Sequence, residues 1–272
     1  MRERITIVNN QRLHGKNVVI TGASAGIGEE MAYLCAQNGA NVFLLARRLD
    51  KLQSIKEKID SDYGVHCYIS SLDVSEHDQI PAVFQTVYEK MGRVDVLVNN
   101  AGFGVFDEIL DADFNDISGM FNVNVLGLIA CTQQVISDMC HHRSGHIINI
   151  ASQAGKLATP KSSVYAASKH AVLGFTNSIR MELSRSDVYV TAVNPGPIAT
   201  NFFDVADESG TYVKNVEKFM LTPHYVAGKV VSRMLTNTRE INLPGWMNIG
   251  STLYALFPRL VERIGKNAFF KK

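Results

Sequence analysis

Two side chains set the chemical question. Tyr165 and Lys169 stand four apart in a stretch with helical spacing, so they share one face of a helix. A free phenol has a pKa near ~10, too high for an efficient base at neutral pH. An ammonium close by favours the phenolate and lowers that value. Such a pair can give a proton to an oxygen or take one from it. Ser152 lies thirteen residues before Tyr165, at the end of a predicted strand, where its hydroxyl can hydrogen-bond a reacting oxygen and stabilise developing charge. Ser144 and Ser163 are less well placed. Taken alone, Tyr-x-x-x-Lys reads as a surface i,i+4 pair with no chemistry, and only the company of other motifs makes it a reacting pair.

A second group of residues suits phosphate. Thr21-Gly-Ala-Ser-Ala-Gly-Ile-Gly28 lies between a predicted strand and a predicted helix. Gly22 permits a tight turn, Gly26 lets a pyrophosphate approach the backbone, and Gly28 lets the helix pack close to the sheet. The helix N-terminus then offers free N–H groups. The spacing is G-x-x-x-G-x-G, and a plain structural turn is the competing reading. At the end of the second strand, Ala46 stands where an acid would hold a ribose 2′-hydroxyl. Arg47 and Arg48 follow. A guanidinium suits a 2′-phosphate as a bidentate, permanently charged donor; two solvated arginines before a helix is the alternative. Asp50 falls too late for the ribose and fits the first turn of a helix.

The elements that must position these groups alternate regularly. Strands are predicted at 17–21, 42–46, 65–70, 94–98, 146–150 and 188–193, with a final edge strand at 241–243. Helices are predicted at 29–38, 51–59, 79–91, 113–139, 162–183 and 222–235. This alternation implies an α/β fold, a single doubly wound parallel sheet covered on both faces. No linker or repeat divides the 272 residues. The stretch 197–220 is a candidate lid over the strand ends, with an ordinary surface loop as the alternative.

Four motifs in order now carry a resemblance: Thr21 to Gly28, Asn99-Asn-Ala-Gly102, Tyr165-Ala-Ala-Ser-Lys169 and Asn194-Pro-Gly196. Together they resemble the single-domain short-chain dehydrogenase/reductases, over residue 21 to about 200. The resemblance implies a Rossmann-like fold and hydride exchange between a nicotinamide and a carbonyl or alcohol. It implies four catalytic residues, Asn124, Ser152, Tyr165 and Lys169. In this pattern Asn124 holds a water that links Lys169 to solvent, and a mid-helix Asn is otherwise an unfavourable choice. Asn122 has the same composition but the wrong register. The cofactor would be NADP(H). It would be bound by Gly22, Ser24, Gly26, Ile27, Gly28, Arg47 and Arg48, with Asp73 and Val74 at the adenine and Asn99, Ala101 and Gly102 beneath the ribose. Tyr165 and Lys169 would contact the nicotinamide ribose, and Pro195, Gly196, Ile198 and Thr200 the nicotinamide amide. Asn100 would bridge strands. Many NADP users of the family carry a basic residue where this chain has Ala25, which tempers the expected preference. The family also implies a homodimer or homotetramer through the helices at 113–139 and 162–183.

Bulk properties exclude other classes. The formal net charge of +1 gives no footprint for nucleic acid. Cys35, Cys67, Cys131 and Cys140 form no C-x-x-C pair and read as buried free thiols in a reducing compartment, with a disulfide pair as the competing reading. The N-terminus lacks the apolar run of a secretory signal, and no stretch approaches the ~18 apolar residues needed to span a bilayer, so a cytoplasmic location is expected. His141, His142 and His146 lack metal-ligand spacing and read as surface histidines, so no metal is expected. Phe103, Phe106, Phe202, Phe203 and Met220 either line an apolar substrate pocket or pack a lid. The basic segment 253–272, with Leu256, Phe257, Leu260, Val261 and Ile264 at helical spacing, reads as a peripheral membrane contact, a subunit contact or a cap on the core. Two other functions compete: a non-catalytic dinucleotide-binding regulator, and a sugar-nucleotide epimerase or dehydratase. The glycine spacing and the short region after Gly196 argue against the latter.

Overall fold

The computed structural model describes residues 10–207 and 210–269. Strands β1 (Asn17–Thr21), β2 (Asn41–Ala46), β3 (Cys67–Ser71), β4 (Val96–Asn99), β5 (Gly145–Ile150), β6 (Val188–Pro195) and β7 (Glu240–Leu243) pair in parallel throughout. Their order is β3-β2-β1-β4-β5-β6-β7. The order reverses between β1 and β4, the crevice where open α/β sheets bind ligands.

Helices cover both faces. On one side lie α1 (Gly26–Gln37), α2 (Leu49–Asp62) and, later in the chain, Pro223–Arg233. Met31, Leu52, Ile55 and Val230 from these helices pack against Val18, Ile20, Val42 and Leu44. On the other side lie α3 (Ile80–Met91), α4 (Phe114–Phe121), α5 (Leu128–His141) and α6 (Ser163–Glu182). Here Phe84, Val135, Met139 and Ile179 pack against Val19, Phe43, Leu45 and Leu97. Successive residues of β1 and β2 thus feed opposite cores, as the period of two requires. The remaining helices are α7 (Phe202–Ala206), α8 (Thr211–Val216), α9 (Pro223–Arg233, introduced above), α10 (Gly245–Leu256) and α11 (Pro258–Phe269).

Several expectations change. The predicted helix 113–139 is not uniform: Asn122–Gly127 between α4 and α5 is a π-helical turn. The run Phe114–His141 is also long and apolar enough by composition to cross a membrane, contrary to the sequence reading. Cys131, Val135 and Met139 of this run pack beneath the sheet, while Phe114 and Leu126 stay exposed. Helix α1 begins at Gly26 rather than Glu29, because the glycine loop enters the helix directly. Helix α10 was not visible in the sequence pattern. His146 is not a surface residue: it is fully buried on β5. Its Nε2 pairs with Thr191 Oγ1 at 2.8 Å, and its Nδ1 accepts from the Leu235 amide at 2.9 Å. Burial holds its pKa down at about 3, so the ring stays neutral. The four cysteines are free, with Cys140 only half-buried.

Candidate active site

The glycine loop is shaped by contacts that exclude side chains. Gly22 has φ +64°, and a Cβ there would stand 2.8 Å from Ala101 Cα. At Gly28 a Cβ would fall 2.4 Å from the Gly22 carbonyl oxygen and 2.6 Å from Asn100 Nδ2. Asn100 explains why β1 and β4 end together. Its Nδ2 donates to the carbonyls of Thr21 and Gly22, both at 3.0 Å, while the amides of Asn100 and Ala101 donate to Thr21 Oγ1 at 3.0 and 3.1 Å. The loop is therefore pinned before any ligand binds. Asn100→Ala should lower unfolding stability by about 1–3 kcal/mol, because two loop carbonyls lose their donor. Urea unfolding read by circular dichroism measures this, and a change below about 0.5 kcal/mol would show that solvent replaces the amide.

A single cavity of about 970 Å³ runs over this loop. Of the sequence-predicted residues, its wall includes Gly22, Ser24, Gly26, Ile27, Arg47, Arg48, Asp73, Val74, Ala101, Gly102, Ser152, Tyr165, Lys169, Pro195, Gly196, Ile198 and Thr200. Three lie behind the wall. Gly28 serves the close packing just described. Asn99, expected to contact cofactor, turns its side chain into the core, where Nδ2 donates to Thr132 Oγ1 and Asn149 Oδ1, both at 2.9 Å. It knits β4 to β5 and α5 instead. Asn124 is fully buried in the π-turn; its Nδ2 donates to the Phe103 carbonyl at 2.9 Å and to Ser168 Oγ at 3.1 Å, and its Oδ1 accepts from the Phe103 amide at 3.0 Å. Its side chain clamps the loop after β4 through Phe103 and reaches α6 through Ser168, the chain neighbour of Lys169.

At one end of the cavity sit the two arginines. Arg48 Nη2 donates to Ser24 Oγ at 3.1 Å, while Arg47 Nη1 lies 3.7 Å from Asp73 Oδ2. Ser24 is thus tied to Arg48, while Arg47 lies by Asp73. Burial pushes the Asp73 carboxyl up, but bonds from Ser75 and the Arg47 charge outweigh it and hold the carboxyl low. Asp73 is thus anionic and keeps Arg47 over the end of β2.

At the other end Tyr165, Ser152 and Lys169 come together. Ser152 caps the short turn Gln153–Gly155: its Oγ accepts from the Ala154 amide at 3.0 Å, which fixes the rotamer, and its hydroxyl bonds the Tyr165 phenol. Behind that turn, Lys156 Nζ meets Glu240, Asn242 and Asn248 at 2.5, 2.9 and 3.0 Å, tying β7 and α10 to it. Lys169 Nζ donates to the Ile150 carbonyl at 2.9 Å and lies 5.8 Å from the Tyr165 ring centroid. The sequence reading expects the ammonium to lower the phenol. In the structure burial dominates and pushes Tyr165 up to about 12, with Ser152 pulling against it and Tyr212 adding to the rise. Burial also pulls Lys169 down to about 8. The phenol is therefore a proton donor at neutral pH.

The cavity mouth is aromatic. Phe106 packs edge-on to Tyr165 and Tyr212 at centroid distances of 5.7 and 5.2 Å, and Phe202 meets Tyr165 at 5.7 Å. Phe103 and Phe203 also line the wall; Met220 does not. From the segment 197–220, Pro197, Ile198, Phe202, Phe203, Tyr212 and Phe219 are among the wall residues. Tyr212, Phe219 and Met247 are wall residues that sequence reasoning missed, since no motif marks them. Gly104 was missed as well: a Cβ there would stand 2.8 Å from the Tyr165 ring. No group of metal-ligating side chains exists among the described residues.

A floor that only glycine fits, arginines at one end and a proton-donating tyrosine at the other suit a dinucleotide whose reactive ring lies by Tyr165. This defines the class as a nicotinamide-dependent oxidoreductase of the Rossmann type. Comparison with known proteins settles the family. Residues 16–209 match the model of the short chain dehydrogenases, and the chain belongs to that family. An uncharacterized oxidoreductase of Staphylococcus saprophyticus is 39% identical over 191 residues, covering 70% of this chain and 76% of that protein. The NADP-dependent 3-hydroxy acid dehydrogenase of Schizosaccharomyces pombe is 33% identical over 237 residues, covering 85% and 90%. The structure of L-sorbose reductase from Gluconobacter frateurii, complexed with NADPH and L-sorbose, superposes with a TM-score of 0.78 at 25% identity, covering 85% of this chain and 96% of that one.

Proposed function

We propose that the protein is an NADP(H)-dependent reductase of apolar ketones or acyl compounds. The observation that carries the nucleotide choice is the end of β2: Ala46 replaces the acid, and Arg47, beside Asp73, and Arg48, bonded to Ser24, line the cavity wall. The names of the fission yeast relative and the sorbose reductase complex lean the same way. The aromatic mouth supports an apolar substrate.

A nicotinamide bound here supplies the hydride. The chain's own residues do the rest. Ser152 and Tyr165 hydrogen-bond the substrate oxygen, and Tyr165 donates its proton as negative charge develops there. Lys169 holds a positive charge beside the resulting phenolate. Phe106 and Phe202 keep water from the phenol.

Titration with NADPH and NADH, read by nicotinamide fluorescence, tests the nucleotide choice. The wild type should bind NADPH more tightly, and Arg47→Asp should weaken NADPH about 10- to 100-fold while sparing or improving NADH. Tighter NADH binding by the wild type would overturn the reading and turn attention to alcohol oxidation. Binding of neither would favour a non-catalytic role.

A further inference from the structure

The last two helices carry a surface that the fold does not use. On α10 Trp246, Ile249, Leu253 and Leu256 recur at helical spacing, and on α11 Leu260 and Ile264 continue the series. All six are between 47% and 76% exposed, in a molecule whose other helices spend such stripes on the core. On α11 Arg259 and Arg263 flank the apolar row while Glu262 lies opposite Leu260, and Tyr254 of α10 donates to Glu262 at 3.1 Å, a polar contact between the two helices. An apolar patch of this extent marks a partner or a membrane.

Charge decides between these. Residues 245–272 contain five basic side chains and one acidic, a net +4. The formal charge of the whole chain is +1, so everything before residue 245 carries −3. The basic charge is thus concentrated on the segment with the unpartnered apolar face. A symmetric contact between two copies would set one +4 segment against another. An anionic bilayer satisfies both features at once: acyl chains take the Trp, Leu and Ile side chains while the headgroups attract the arginines.

The patch is continuous with the cavity. Trp246 packs on Phe219 with ring centroids 5.9 Å apart, and Phe219 and Met247 are both cavity-wall residues. Val205 and Phe219, at the rim, are themselves exposed. We propose that α10 and α11 seat the protein on an anionic membrane surface, with the cavity mouth beside the lipid. A substrate dissolved in the bilayer would then reach Tyr165 past Phe219 without crossing water. That last consequence rests on the function proposed above; the surface itself does not.

Vesicle flotation of the full chain tests the surface, using phosphatidylcholine vesicles with and without phosphatidylserine. The wild type should float with the anionic vesicles, weakly with the neutral ones, and salt should release it. Leu260→Glu with Ile264→Glu, and separately Arg259→Glu with Arg263→Glu, should each weaken flotation at least about tenfold. These positions are exposed, and NADPH fluorescence in solution checks that each variant remains folded. A wild type that stays in solution with both vesicle types overturns the proposal, as does undiminished flotation of the apolar variant. A fall in sedimentation coefficient on Leu260→Glu with Ile264→Glu, without vesicle binding by the wild type, assigns the face to a second copy. Flotation without NADPH binding would leave the surface standing and remove only the nucleotide reading.

Discussion

Tyr165→Phe is expected to abolish turnover while leaving the fold and cofactor affinity nearly intact. The phenylalanine keeps the ring that packs against Phe106 and Phe202 and loses only the hydroxyl. Loss of a positioned general acid costs about a hundred- to ten-thousand-fold in kcat. The stability change should stay within about 1 kcal/mol, the worth of the bond to Ser152. Steady-state kinetics, nicotinamide fluorescence and thermal unfolding on the same preparation separate these quantities. A variant that retains more than a tenth of wild-type kcat would remove Tyr165 from the chemistry.

The pH dependence follows from the same environment. Burial holds the phenol at about 12, so it is protonated across the neutral range and reduction keeps its acid. Oxidation needs the phenolate, whose fraction rises about tenfold per pH unit below the pKa. Alcohol oxidation should therefore climb with pH through neutrality while ketone reduction does not. Bound cofactor and the Lys169 charge, itself lost as pH rises past about 8, set where the climb ends. Parallel pH profiles for the two directions would contradict this assignment.

The second large effect is expected at the glycine cradle. Gly22→Ala places an L side chain at φ +64°, at a cost of about 1–2 kcal/mol. Its Cβ would also sit 2.8 Å from Ala101 Cα, which is backbone and cannot rotate away. Overpacking of this kind costs about 1–3 kcal/mol, and any relief must part the ends of β1 and β4. The variant should lose about 2–5 kcal/mol of stability and bind NADPH at least about tenfold more weakly. Gly174→Ala is the control: it lies within α6 with nothing within 4 Å of an added Cβ, and it should be neutral or slightly stabilising. If Gly22→Ala binds NADPH like the wild type, the loop is not a phosphate cradle.

Most of the scaffold was legible because both signals it needs are local. Buried parallel strands are short apolar runs, and the helices between them show one apolar face, so β1 to β7 appear in the sequence within two residues of their bounds. The glycine loop and the Tyr165–Lys169 spacing are local as well, and each declares its geometry through a residue type. Side-chain direction is not local. Whether Asn99 or Asn100 faces the ligand is decided by which of them meets Thr132 and Asn149 across the sheet. His146 sits in a polar-looking cluster, yet β5 carries it between Thr191 and Leu235. The same holds for the acid–base balance. Sequence spacing brings an ammonium near the phenol; only the enclosing aromatic wall makes burial the larger influence on Tyr165. The sequence by itself determined the runs that become strands, the glycine loop and the spacing of Tyr165 and Lys169. The tertiary structure decided which arginine meets Ser24, which polar groups are core, and that the last two helices keep an apolar face outward, because each depends on contacts between residues far apart in the chain.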